Sequence, residues 1–129
     1  MAGSGEYGGI MAAKKFEELE VWKRALNISV RIYKLQPSLK NYNFANHLGK
    51  TGLSIPSNIA EGYERDSSKE FVRFLNISRG SCGELRTQLY VGIEAGYLDK
   101  KAGEELVDET RQISAMISGL IKFRHNVGK

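Results

Sequence analysis

The chain has 129 residues, with 19 Lys and Arg against 15 Asp and Glu (formal net charge +4), 41% apolar residues and a single cysteine. This length is that of one domain, able to bury roughly two-thirds of its unfolded surface without disulfides or a structural metal. The lone Cys82 excludes an internal disulfide and fits a reducing compartment, and no apolar run nears the ~18 residues of a membrane span.

No apolar signal segment opens the chain, so it reads as cytoplasmic, without a membrane partner. Its modest positive charge permits a nucleic-acid partner without demanding one. Met1 to Gly9 holds four glycines and almost nothing apolar, too little to offset the entropy of ordering. Residues 1–13 are expected to be a disordered leader or tag, with Met11 as a natural start, outside a bundle spanning 14–126.

Apolar spacing of three and four residues predicts four helices. The first runs from about Glu17 to Gln36, with Val21, Trp22, Ala25, Ser29, Ile32, Tyr33 and Gln36 along its face, and Pro37 ends it. The second runs from about Asn43 to Glu61. Pro56 frees and crowds the carbonyl of Gly52, so a kink is expected there, and Gly62 is a natural C-terminal stop. Ser67 as N-cap with Glu70 three residues on forms a capping box for the third helix. That helix continues through Phe71, Phe74, Leu75, Ser78, Cys82, Leu85 and Leu89 to near Gly96. The fourth runs from an Asp99 cap to about His125, with Leu106, Thr110, Ile113, Ile117, Leu120 and Arg124 in its stripe. Short links place neighbouring helices antiparallel, so the expected fold is an all-α, up-down four-helix bundle.

The residues offer little catalytic chemistry. His47 and His125 lie on different helices without further ligands at metal spacing, so neither a metal nor a cofactor is expected. Cys82 sits in an apolar stripe, where a thiol is inert. Glu104, Glu105, Asp108 and Glu109 lie in the first turns of the last helix and complement its dipole. Gly49 and Gly52 follow no strand, so they form no phosphate loop. Asn58 and Glu61 are expected to be buried in an interhelical network with Arg65, Arg79 or Arg86. No convergent titratable cleft is evident, and the chain does not read as an enzyme.

The cations are more informative. Placed about 100° apart per residue, Lys23, Arg24, Asn27, Arg31 and Lys34 share one arc of the first helix with only Glu20 as an acid. Arg79 and Arg86 lie two turns apart on the third. These six cations are candidate phosphate contacts, acting through counterion release rather than base readout. Apolar residues also flank the core stripes, Val21 and Ile28 on the first helix and Val72 and Ile77 on the third. They suggest a second buried contact, with another copy of the chain.

The run Ser54-Ile55-Pro56-Ser57-Asn58-Ile59-Ala60-Glu61-Gly62, followed by Arg65 and Ser68-Lys69-Glu70-Phe71, resembles the signature of the four-helix-bundle proteins encoded in ribosomal RNA intervening sequences. The accessory proteins of diversity-generating retroelements share that fold. The likeness extends from Phe16–Trp22 to Ser78–Ser81, Glu84-Leu85 and Gly96-Tyr97-Leu98. The resemblance implies a non-enzymatic, ring-shaped homopentamer in which Pro56, Asn58, Glu61, Gly62, Arg65, Glu70, Phe71, Ser81 and Glu84 define fold and assembly. It also implies RNA or DNA, a reverse transcriptase or a ribosomal component as partner. A purely protein-binding scaffold is the alternative. The chain departs from the family at Asn46–Gly52, where two helical glycines cost about 1 kcal/mol each and a basic position is lost.

Overall fold

The computed structural model describes residues 14–127, so the expected leader at 1–13 lies outside the described residues. Four helices follow one another: α1 (Glu20–Leu35), α2 (Tyr42–Glu64), α3 (Ser68–Glu94) and α4 (Lys100–Val127). Short 3-10 turns at Phe16–Glu18 and Gln36–Ser38 flank α1, and no strand occurs among the described residues. Each helix packs on the next, and α1 also touches α4, though less closely than it packs on α2.

Local chemistry sets the ends. Leu19 leaves helical geometry (φ −74°, ψ 125°) to bury its side chain, so α1 begins three residues later than the periodicity suggested. Asn41 accepts from the Phe44 amide at 2.9 Å and caps α2. Ser67 accepts from the Glu70 amide at 3.1 Å and caps α3. The Glu70 carboxylate turns instead to Arg73, 3.1 Å away, so the capping box is only half made. Asp99 caps α4 through the Ala102 amide at 3.0 Å. The first turn of α4 holds no acid. Lys100 and Lys101 stand there, against the helix dipole, and the acids Glu104 and Glu105 begin in the second turn. Gly96 (φ 78°) closes α3 in the left-handed region where a side chain would be strained.

Gly62 is not a stop. α2 continues to Glu64, and Gly62 is buried where α2 crosses α3. A Cβ there would come within 2.6 Å of the Phe74 Cβ and 3.2 Å of the Phe71 ring. Gly49 and Gly52, three apart on the α1-facing side, do the same for Tyr33, Gln36 and Ile32. Their poor helix propensity is offset by close approach of the two helices. Pro56 is buried within α2 and the helix runs through it. Around it, Ser54 donates to the Thr51 carbonyl (2.6 Å) and Asn58 to the Ser54 carbonyl (2.8 Å). These are local side-chain bonds to helix carbonyls on either side of the proline; neither goes to the Gly52 carbonyl that Pro56 leaves without its amide donor.

The core is one cluster drawn from all four helices, with Ile28, Ile32, Leu48, Ile55, Ile59, Leu75, Leu85, Leu89, Ile113 and Ile117 fully buried. Its buried hydroxyls are satisfied: Ser78 donates across to the Ile55 carbonyl at 2.9 Å, and Thr110 to the Val107 carbonyl at 2.6 Å.

Gly62→Ala is expected to destabilise the fold by about 1–3 kcal/mol, because a Cβ overpacks against Phe74. Gly80→Ala, where a Cβ meets nothing within 4 Å, should stabilise α3 by about 0.5–1 kcal/mol. Urea midpoints of the two variants check this; an unchanged midpoint for Gly62→Ala contradicts the packing argument.

Candidate nucleic-acid interface

The six candidate phosphate contacts separate into two groups. Arg24 is held across the α1–α4 seam: its Nε donates to Glu109 Oε2 (3.0 Å), and Nη2 donates to Glu109 Oε1 (2.8 Å) and Gln112 Oε1 (2.7 Å). Such a two-pronged pair fixes geometry as well as charge, and Glu109 is only 16% exposed. Arg79 reaches from α3 to Ser118 of α4 (2.9 Å) and also holds Asn76 (2.7 Å). Arg86 donates to Thr110 Oγ1 at 3.0 Å. These three arginines clamp α4 to its neighbours, which takes them out of a free basic surface.

Lys23, Arg31 and Lys34 form the second group. Lys23 is exposed and only loosely paired with Glu20, at 3.5 Å. Arg31 and Lys34 line a groove of about 310 Å³ between α1 and α4, with Leu35, Ala102 and Leu106 as its apolar walls. Glu105 also faces this groove, but no ion pair joins it to either cation.

The signature residues gather where α2 meets α3. Arg65 pairs with Glu61 (2.8 Å) and approaches Glu70 (3.9 Å). The guanidiniums of Arg65 and Arg73 lie over the Phe74 ring, 4.9 and 4.5 Å from its centroid. The hydrogen bond from Arg73 holds the Glu70 carboxyl below its ordinary value; burial opposes this, and the charges of Arg73, Arg65 and Lys69 reinforce it. Arg124 stacks 5.2 Å from the buried Phe71 ring and donates to Ser68. The cluster is a charged clasp over a corner, with acids matched to cations. Glu61 is 52% exposed rather than buried, and Asn58 bonds locally within α2, so neither joins Arg79 or Arg86. Ser81 is buried and Glu84 exposed.

Val21 (3% exposed) and Ile28 (0%) belong to the core of the single chain, which corrects their placement on a flank facing another copy. The inward face of α1 is centred on Val21, Ala25, Ile28 and Ile32, rotated from the stripe that Trp22 and Tyr33 suggested. Those two rings sit at its margin, where amphipathic aromatics tolerate water. Val72 is half-buried against the core, and Ile77 is 42% exposed. Periodicity passed over further exposed apolar residues, Leu26 and Val30, which share one side of α1 with Tyr33, and Leu53 of α2.

Burial pushes the Cys82 thiol up to about 12, against the opposing charge of Arg86. It is therefore neutral at physiological pH and unsuited to nucleophilic work. His47 and His125 are exposed on separate helices. No cluster of three metal-ligating side chains occurs among the described residues, and no described helix is long and apolar enough to cross a membrane.

Residues 17–119 match the family described as 23S rRNA-intervening sequence protein, and the chain belongs to that family. Its fold is similar to that of a crystal structure from Bacteroides thetaiotaomicron, a protein with unknown function from the S23 ribosomal protein family. The two share 25% identity with a TM-score of 0.75, over 79% of this chain and 98% of the other. No curated protein matches the chain.

If Arg24 is a clamp, Glu109→Gln should lower stability by about 1–3 kcal/mol by leaving a half-buried guanidinium without its charge partner. Thermal or urea unfolding measures it. A variant as stable as the parent contradicts the clamp.

Proposed function

We propose that the chain is a non-enzymatic, cytoplasmic bundle protein that binds nucleic acid, RNA foremost, through phosphates rather than bases, and that it works as an oligomer. In this reading the bundle is antiparallel and up-down, with α2 bending at Pro56. The order of contacts supports the direction: Ile55 meets Ser78 and Gly62 meets Phe74, while Arg79 meets Ser118 and Arg86 meets Thr110.

The observation that carries the binding reading is the pair Arg31 and Lys34, which face a groove without an acid bound to them. Cations free to reach a phosphate backbone release its counterions, whereas Arg24 is paired with Glu109 and the donors of Arg79 and Arg86 are held by neutral groups across the α3–α4 seam. The family description mentions 23S rRNA only as the place of the intervening sequence, and RNA is taken on that association as the first ligand to test. A gel-shift titration at rising salt tests the reading; absence of a shift at low salt overturns it. Replacing Arg31 and Lys34 together by Ala should reduce the slope of log affinity against log salt by up to about 2, with the unfolding midpoint unchanged. An unaltered slope places the contact elsewhere.

The exposed apolar residues favour a protein contact as well. Leu26, Val30 and Tyr33, spaced four and three residues apart, form one exposed patch along α1, Leu53 of α2 is exposed as well, and Val72 and Ile77 lie on α3. A patch on one subunit meeting a different patch on the next closes a ring, so a cyclic homo-oligomer, five-fold as in the family, is the proposed assembly. A scaffold for a reverse transcriptase or ribosomal component would use the same patch without needing the basic groove. Sedimentation equilibrium is expected to give a mass several times that of the chain, and Leu26→Glu to reduce it. A monomeric parent at micromolar concentration removes the assembly.

A further inference from the structure

Three grooves join at the end of the bundle where the α1–α2 link lies beside the α3–α4 link. The groove of Arg31 and Lys34 shares Leu35 with a second, of about 400 Å³, over the two links. The second shares Leu39 and Lys40 with a third, of about 470 Å³, against the start of α2. Together they form one track around the bundle end, with Arg31, Lys34 and Lys40 spaced along it. None of these three cations is ion-paired or hydrogen-bonded among the described residues, although Glu105 and Asp99 also face the track. Asp99 is engaged as the cap of α4.

The track ends at Tyr42, which is 83% exposed, the most exposed large apolar side chain among the described residues. Its ring contributes nothing to the core, and among the described residues no aromatic or cationic partner lies against it. Asn46 lines the same groove with its amide free. A solvent-exposed aromatic face at the end of a row of unpaired cations is the combination that holds single-stranded nucleic acid: bases stack on the ring while phosphates follow the charge. A duplex keeps its bases stacked internally and would engage only the cations.

We propose that this track binds a single-stranded segment of nucleic acid, with a base stacked on Tyr42 and the adjoining phosphates on Lys40 and Lys34. The inference rests on the nucleic-acid reading above and adds a strand preference to it. An acidic peptide is less well suited, since it would use the cations and leave the ring without a role.

Fluorescence anisotropy at low salt, with a labelled oligouridylate and an RNA duplex of equal length, tests it on the full chain. Tyr42→Ala is expected to weaken oligouridylate binding about 5- to 100-fold, leaving duplex binding unchanged, whereas Tyr42→Phe keeps both. Tyr42 is exposed and outside the core, so its replacement leaves the fold intact, which an unchanged circular dichroism melt confirms. Tyr42→Ala that binds oligouridylate like the parent, or loses both ligands equally, overturns the strand preference while the phosphate reading stands. Displacement of oligouridylate by an equal concentration of oligoglutamate also overturns it. A parent chain that binds neither RNA at low salt removes both readings together.

Discussion

The closeness with which α2 admits its neighbours is the constraint on which the rest of the molecule depends. Gly49 and Gly52 open one side of it to Ile32, Tyr33 and Gln36 of α1 and the turn after it, and Gly62 opens the other to Phe71 and Phe74 of α3. Any side chain at these positions must push a packed neighbour aside. Between them, Ser78 donates to the carbonyl of Ile55, the residue directly before the proline. With α1 and α3 drawn onto α2, the core closes around Ile55 and Ile59, and α4 completes the bundle. The helix with the poorest intrinsic propensity is therefore the one at the centre of the packing, because tertiary contact outweighs propensity.

This arrangement divides the basic residues by position. Arginines on the margins of the seams reach across them: Arg24 to Glu109 and Gln112, Arg79 to Ser118, Arg86 to Thr110, Arg124 to Ser68. Three reach α4 from α1 or α3, and Arg124 reaches from α4 to α3; the α1–α4 seam that Arg24 spans is looser than the seams between consecutive helices. A guanidinium suits this task, since its planar fork satisfies several acceptors at once. Arg31, Lys34 and Lys40, toward the link end of the bundle, have no such partners and remain available to an external anion. At the opposite end the corner over Phe74 carries as much charge but cancels it internally through Glu61 and Glu70. Exposed lysines such as Lys50, Lys69 and Lys122 lie elsewhere on the surface, so what marks this region is the gathering of its cations beside one groove.

Much of the fold was legible in the sequence because apolar periodicity and caps act locally. Asn41 went unnoticed as a cap, but Ser67 and Asp99 were read correctly, and the helix ends fell within about three residues. What local pattern could not reveal was partnership across the bundle. A helix projection shows the direction in which Arg24 points, yet Glu109 lies 85 residues away, and nothing near Arg24 announces it. Gly62 looked like a stop because a glycine ending a helix and a glycine at a helix crossing are the same letter. Val21 and Ile28 were misplaced by a small rotation of α1, after two aromatic residues were counted as its centre. The groove track and exposed Tyr42 depend on two links meeting at one end, a fact of topology that no segment contains.

The central claim is that Arg24, Arg79 and Arg86 are clamped within the bundle and that nucleic acid is held by the cations of the α1–α4 groove and the adjoining link. Photocrosslinking of the intact protein to RNA carrying 4-thiouridine, with the attached peptides mapped by mass spectrometry, addresses it most directly. The account predicts adducts within the second half of α1 and the link to α2. Adducts confined to the α3 segment bearing Arg79 and Arg86, or to the corner around Arg65, would contradict it.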